Sequence, residues 1–442
     1  MRYLDNILFL VILGLGTGFF AINIRKIIRN IKLGRDIDRS DNPSARWRNM
    51  ALIALGQSKM VKRPVAGLLH IFVYVGFIII NVEVLEIVID GLFGTHRIFS
   101  FLGILYSILI GSFEILAILV LVAVIAFLIR RNIIKLKRFI HSDLKGWPKS
   151  DANYILYFEI LLMTLFLLMN AADYHLQLLG FGHYERAGAF PVSQFIEPVF
   201  NGMSESAVMM IERAIWWLHI CGILIFLNYL YFSKHLHILL AFPNTYYADL
   251  NPKGKLDNLE SVTNEVKLMM DPNADPFAAA PVNENAVPHK FGAQDVQDLN
   301  WVQLMNAYTC TECGRCTSAC PANITGKKLS PRKIMMDTRD RLEEVGRNID
   351  ANKGIFIPDN KTLLNDYITP EELWACTSCN ACVEECPVNI SPLSIIIDMR
   401  RYLVMEQSAA PMSLNAMMTN IENNGAPWQY NQQDRLNWKN EN

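Results

Sequence analysis

The chain has 442 residues, of which 52% are hydrophobic and only 19% charged. Lys and Arg (41) nearly cancel Asp and Glu (42), leaving a net charge of −1, so bulk electrostatics gives no nucleic-acid partner. A soluble protein carries about 25% charged residues; the deficit here, with a mean hydropathy of +0.20, excludes a wholly soluble or disordered chain. Nine cysteines are too few for a disulfide scaffold, and eight of them fall between residues 310 and 386.

The apolar excess is confined to residues 1–242. A helix needs roughly 20 apolar residues to cross the hydrocarbon core. Five stretches meet that need: 7–24, 65–89, 101–129, 154–179 and 214–232. Buried core helices are the alternative, but five such runs alternating with charged loops favour membrane spans. The first run has no small-residue cleavage site and is followed, not led, by basic residues, so it reads as a retained helix. Its Gly14, Gly16 and Gly18 read as helix-packing positions, because a dinucleotide fingerprint needs a preceding strand and wider spacing.

Loop charge sets the orientation. Eleven Lys and Arg lie between the first and second spans (Arg25 to Arg63), and seven between the third and fourth (Arg130 to Lys149). The opposite loops hold only Arg97 on one side and Arg186 and Arg213 on the other. Positive loops stay in the cytoplasm. The amino terminus is therefore expected outside and everything after the fifth span in the cytoplasm.

After Phe242 the texture changes. Residues 243–300 are rich in Pro, Asn, Asp and Ala and read as an extended linker with one short helix near Leu259–Met270. Residues 301–405 read as a compact domain and 406–442 as a polar tail. The compact domain carries a doubled motif: Cys310-x-x-Cys313-x-x-Cys316-x-x-x-Cys320-Pro321 and Cys376-x-x-Cys379-x-x-Cys382-x-x-x-Cys386-Pro387. This run holds [4Fe–4S] clusters. Three cysteines at this spacing wrap one cubane, while the fourth begins a segment that reaches the other cluster. The expected sets are Cys310, Cys313, Cys316 and Cys386, and Cys376, Cys379, Cys382 and Cys320. Structural zinc is the alternative, but its sites pair C-x₂₋₄-C. Thiolate clusters need a reducing compartment, which agrees independently with the loop charges. Cys221, alone in the fifth span, reads as a packed thiol.

Histidines and carboxylates inside spans are functional candidates by default. His219 and His237 are 18 residues apart, five turns on an unbroken helix and about 27 Å along its axis, with His235 on the opposite face. His70 opens the second span at the depth of His237, and the two form the natural ligand pair of a haem b. His219 and His175 are the candidate pair for a second, outer haem. Glu83, Glu86, Glu114 and Glu159 are intramembrane proton-relay candidates. Arg315 and Lys327-Lys328 place positive charge near the first cysteine set.

On these residues the chain resembles known proteins. The five spans, the histidine spacing and the segment Ser233–Ile238 resemble the nitrate reductase gamma family of b-type cytochromes. That family carries two haem ligands ten residues apart on its second helix; here the first corresponds to His70 and the second position is Ile80. The long insert between the cysteine runs resembles the helical ferredoxin domain found in succinate dehydrogenases and heterodisulfide reductases. Together the halves resemble the membrane part of heterodisulfide-reductase-like iron–sulfur oxidoreductases, including those passing electrons from electron-transfer flavoprotein to menaquinone. Members of that branch carry a domain with adjacent Cys-Cys pairs, and this chain has none. The resemblance therefore implies a separate cytoplasmic partner with such a domain, or electron-transfer flavoprotein itself.

The expected fold is all-α: a five-helix transmembrane cytochrome b bundle followed by a cytoplasmic helical ferredoxin domain. The expected function is electron transfer between a cytoplasmic partner and menaquinone or ubiquinone in a bacterial or archaeal cytoplasmic membrane. Two [4Fe–4S] clusters and one or two b haems would carry the electrons. A membrane-anchored iron–sulfur redox sensor without quinone chemistry is the alternative.

Overall fold

The computed structural model describes residues 3–273 and 290–440. It is all-α, and among the described residues there is no strand, only two isolated bridges, Arg35 with Asn300 and Leu364 with Ile368. Five of the described helices are long and apolar enough to cross a membrane: α1 (Leu4–Ile31), α3 (Pro64–Phe93), α4 (Ile104–Leu128), α5 (Trp147–Leu179) and α6 (Glu205–Tyr229). The short α2 (Pro43–Met50) lies in the loop between α1 and α3.

The five long helices close a ring in which α1 touches α3 and α6, α3 touches α4, α4 touches α5, and α5 touches α6. The ring buries polar groups among apolar side chains and is apolar on its outer face. Glu114, Asn170, Asp173 and Glu83 are buried within it, while Leu10, Leu68, Ile108, Val122, Leu161 and Leu218 face outward. Lipid imposes this pattern, since apolar side chains need no burial there and charged ones do. Glycine sets one close approach: a Cβ at Gly76 would meet Val120 Cγ2 at 2.5 Å, so α3 and α4 can approach closely there. Of the three glycines in α1, only Gly16 packs, against Leu224; Gly14 and Gly18 face open space.

The fifth span does not run unbroken to His237. α6 ends at Tyr229, a 3₁₀ turn covers Leu230–Phe232, Ser233 is extended, and α7 (His237–Tyr246) starts afresh. The buried Asp151 of α5 explains the break. Its carboxylate accepts from Tyr229 Oη (2.6 Å), Ser233 Oγ (2.7 Å) and the Lys234 backbone N–H (3.2 Å). Satisfying that acid draws the chain out of helix. The five-turn spacing of His219 and His237 on one face is therefore corrected.

Beyond α7 come α8 (Glu260–Met270), α9 (Trp301–Thr309), α10 (Arg315–Ala319), α11 (Pro321–Ile324) and α12 (Pro331–Ala351). Then follow a tight turn α13 (Leu363–Asp366), α14 (Pro370–Trp374), α15 (Ala381–Glu385), α16 (Pro392–Arg401) and α17 (Met412–Asn424). α9 is the centre: Val302 through Thr309 are all buried. Its start is fixed by a capping box, Asn300 with Gln303. The segment expected as linker is partly core, because Ala293, Val296 and Leu299 are fully buried. The helical domain docks on the end of α1, where Asn30 Nδ2 donates to Tyr308 Oη (2.9 Å) and Arg29 Nη2 to the Gly346 carbonyl (3.0 Å).

Candidate redox site

The two cysteine loops are built alike. Each follows a helix, α9 or α14, and each turns through left-handed backbone at two places: Glu312 (φ 54°) and Gly314 (φ 73°) in the first, Ser378 (φ 54°) and Asn380 (φ 60°) in the second. Gly and Asn tolerate that region; Glu and Ser do so only where surroundings hold them. A one-turn helix then follows in each case, α10 or α15, and these two pack side by side. That packing carries the fourth cysteine of each run to the other loop.

Thiols of the two runs lie close to one another. A cavity is walled by Cys310, Cys313 and Cys316 together with Cys382 and Cys386 of the second run. Burial pushes the Cys386 thiol up to about 11, and nearby Cys313 adds to it. Burial pushes Cys382 up to about 12, and Cys376, Cys320 and Cys379 add to it. Cys376 is likewise raised by burial and by Cys320 and Cys379, against the pull of Arg400. Sulfurs also receive backbone donors: Ser378 N–H to Cys376 Sγ (3.4 Å) and Ile390 N–H to Cys386 Sγ (3.3 Å). Buried thiols that raise one another are a donor set waiting for positive charge. Among the described residues no group of three or more His, Cys, Asp or Glu is placed to hold a single metal ion. Cys310, Cys320, Cys382 and Cys386 are buried, and Cys379 is exposed.

The first loop faces the helix ring. Arg315 donates to the carbonyls of Lys59 (3.1 Å) and Met60 (3.2 Å), just before α3. Lys234 Nζ pairs with Glu312 and donates to the Pro148 carbonyl (2.6 Å). The imidazoles lie directly beyond. His70 is within electrostatic reach of His237 and Arg315. His235 and His237 have ring centroids 5.4 Å apart, and burial with both His237 and His70 nearby holds the His235 imidazole at about 3. His235 therefore joins the pair instead of facing away. His237 Nδ1 bonds the Lys234 carbonyl (3.1 Å), leaving Nε2 free, and His70 Nδ1 is buried without a partner. Two imidazoles with uncommitted nitrogens fit the donor set of a haem.

The second histidine pair is not brought together. His219 packs on Phe166 of α5 (centroids 6.1 Å) with Nδ1 unpartnered. His175 is nine residues further along α5, about 13 Å, and its Nδ1 meets Glu197 Oε1 at 2.5 Å. The expectation of His219 and His175 as co-ligands is corrected by that offset.

The four carboxylates divide between the two ends of the ring. Glu159 Oε1 lies 3.9 Å from His235 Nε2, at the end nearest the cysteines. Glu83, Glu86 and Glu114 gather at the far end around Arg97. Arg97 pairs with Asp173 and donates to Tyr106 Oη (3.1 Å) and Asn170 Oδ1 (2.9 Å). Glu86 accepts from Phe99 N–H and Tyr106 Oη (2.9 Å each), and Glu114 from Val192 N–H (2.8 Å) and Ser193 N–H (3.0 Å). Both are thereby tied to structure, whereas Glu83 Oε2 is buried without a partner. Sequence reasoning passed over Asp151, Asp173, Lys234 and Glu312; Asp173, inside the apolar run 154–179, was the available signal.

Residues 309–390 match the family model of the 4Fe-4S dicluster domain. The chain's similarity is to iron–sulfur oxidoreductases, heterodisulfide reductases among them. It is 29% identical over 466 residues to the probable iron-sulfur-binding oxidoreductase FadF of Bacillus subtilis, across 99% of this chain and 61% of that one. To the EtfAB:quinone oxidoreductase of Syntrophomonas wolfei it is 28% identical over 435 residues, 92% of this chain and 55% of that one. To a probable membrane-anchored ferredoxin of Chromohalobacter salexigens it is 33% identical over 163 residues, 34% of this chain and 24% of that one. The chain thus spans about three-fifths of the length of the first curated relatives it matches. No solved structure matches it. The Chromohalobacter relative is named as membrane-anchored, which agrees with the five apolar helices of this chain.

Proposed function

We propose that this chain is the membrane electron-transfer subunit of a quinone-linked oxidoreductase. One observation supports the reading: the first cysteine loop, with thiols of the second run beside it, is held by the Glu312–Lys234 ion pair against the turn that carries His237. Cys310, Cys313, Cys316 and Cys386 would hold one [4Fe–4S] cluster, Cys376, Cys379, Cys382 and Cys320 a second, and His70 and His237 a haem b. Bound there, these groups would supply one-electron carriers linking a two-electron partner to a lipid-soluble quinone.

The residues give the line a direction in space. Cys379 is exposed, so the second set is the end a partner protein meets. The first set abuts the helix ring and is the end the membrane meets. The partner would be a separate protein with Cys-Cys pairs, or an electron-transfer flavoprotein, as the name of the Syntrophomonas relative suggests. Menaquinone or ubiquinone would dock beside the ring, with Glu159 and His235 as the proton-handling pair at that end and Glu83 the free carboxyl at the other. The loop charges support a thiol domain in the cytoplasm of a bacterial or archaeal cell, with the amino terminus outside.

The test is spectroscopic and kinetic. Purified protein should show a b-type α-band on dithionite reduction, two [4Fe–4S] signals by electron paramagnetic resonance, and partner-dependent reduction of a menaquinone analogue. Cluster signals without an α-band, and without quinone turnover, would leave only the tethered redox sensor.

A further inference from the structure

The two cysteine loops form an internal comparison. Over seven residues, Cys310–Cys316 reads C-T-E-C-G-R-C and Cys376–Cys382 reads C-T-S-C-N-A-C. They differ at three positions. One difference, Gly314 against Asn380, exchanges two residues that both tolerate positive φ. The other two are Glu312 against Ser378 and Arg315 against Ala381. Both first-loop side chains leave their own domain: Arg315 grips the backbone before α3, and Glu312 pairs with Lys234 in the turn before His237.

The Lys234 site is built and closed. Lys234 and Glu312 are both buried. Lys234 Nζ also donates to the Pro148 carbonyl (2.6 Å) and lies 3.8 Å from Asp151 Oδ2. Glu312 takes a second cation, Arg339 Nη2 at 2.9 Å. A buried ion pair is an expensive way to gain stability, since apolar residues of like volume often do as well. It is a good way to fix charge and register where both matter. The same Lys234 accepts the His237 ring at its backbone carbonyl. One residue therefore touches the candidate haem ligand through its main chain and the candidate cluster loop through its side chain.

We propose that Lys234 is a positioning residue that locks the first cysteine loop onto the His237 turn through Glu312 and sets the charge between the two redox sites. The second loop has Ser378 and Ala381 in place of the two docking residues, and its run meets the membrane half instead through Glu384 and Glu385 of α15, which pair with Lys62 and Arg63 (2.8 Å each) before α3. This inference rests on the two-cluster and haem assignment above.

The experiment is a redox titration of the full membrane protein, following each cluster by electron paramagnetic resonance and the haem by its α-band. Positive charge near a cluster favours its reduced form. Lys234→Met leaves Glu312 less compensated and should lower the midpoint potential of the first cluster. Glu312→Gln leaves Lys234 and Arg339 less compensated and should raise it. Lys234→Arg should stay near wild type, as should the second cluster in every variant. Opposite signs are the signature, because simple loosening of the interface would move both variants the same way. Shifts of the same sign, or none, would overturn the proposal, as would equal shifts in both clusters. If Lys234→Met fails to assemble, the sign for Glu312→Gln decides alone. Absence of the α-band or of two cluster signals in the wild-type protein is a different result, and it removes the underlying assignment.

Discussion

His237 Nδ1 lies 3.1 Å from the carbonyl oxygen of Lys234, three residues earlier in the same tight turn. A ring N–H that donates to a backbone carbonyl is fixed in one tautomer and one orientation, and its Nε2 is free to bind iron. His237→Ala and His70→Ala should each abolish the b-type α-band while leaving both cluster signals. His219→Ala and His175→Ala should keep the band, because neither ring reaches this pair. Haem content per protein and the cluster spectra of the four variants check the claim together.

Asp151 shapes the turn that carries His237. Its carboxylate is buried and takes three donors from residues 229–234. Asp151→Ala strands the Tyr229 and Ser233 hydroxyls and the Lys234 N–H and removes one neighbour of the Lys234 ammonium. Losing one member of a buried charged network costs about 3–5 kcal/mol. The variant should melt at a clearly lower temperature in detergent and retain less haem after purification. Asp151→Asn keeps an acceptor and should fall between the two. Equal haem retention in all three proteins would show that the turn forms without the carboxylate.

How much of this was legible in the sequence depended on how local the signal was. Membrane spans declare themselves by length and hydropathy, so all five long helices lie where apolar runs predicted them. The cysteine spacing is equally local, and the helices between third and fourth cysteines pack together, as a crossed arrangement requires. Depth along a helix is not local. His219 and His237 looked like one face of one helix, but Asp151, about 80 residues away in sequence, interrupts that helix. His175 looks level with His219 from span lengths alone, but His219 packs on Phe166, nine residues earlier in α5. Residues 293–299 looked like linker because their polar neighbours hide three buried apolar side chains, and only packing against α9, α12 and α16 shows them as core. Glu312 could have been suspected from the repeat itself, as a long acid where its twin has serine.

Asp143 predicts a pH dependence for the docking of the two halves. It lies between α4 and α5 and meets Arg332 of α12 through Nε (3.2 Å) and Nη2, with Ser330 Oγ (2.8 Å) and His141 Nδ1 (2.8 Å) also on the carboxylate. Burial pushes this carboxyl up, but the Arg332 hydrogen bonds and charge, with Ser330 and His141, outweigh it and hold it below its ordinary value. A depressed folded value means the contact stabilises at every pH above the unfolded value of about 3.9 and is lost as pH falls through the folded one. Asp143→Asn should therefore be less stable near neutrality, by about 1.5–3 kcal/mol for hydrogen bonds to a charged group. The gap to wild type should close below about pH 4. Melting curves of both proteins from neutral pH into acid measure it, and a gap that widened in acid would contradict the ion pair.

The crossed ligand sets make a sharper prediction than the motif count does. Cys386 belongs to the second run by sequence, yet with Cys382 it walls the same cavity as Cys310, Cys313 and Cys316. Cys320 belongs to the first run, yet it neighbours Cys376 and Cys382. Replacing Cys386 by Ser should therefore disturb the cluster that Cys313→Ser disturbs, and Cys320→Ser the one that Cys379→Ser disturbs. The pairing can be read without knowing which signal is which, because variants of one set share a lost or altered paramagnetic signal and spare the other. The exposure of Cys379 adds an order to the loss. Mild oxidation in air should bleach the signal shared by Cys379 and Cys320 before the signal shared by Cys313 and Cys386, since solvent reaches the former set first. If Cys386→Ser and Cys379→Ser removed the same signal, each run would close on its own cluster, and the packing of α10 against α15 would have to serve another purpose.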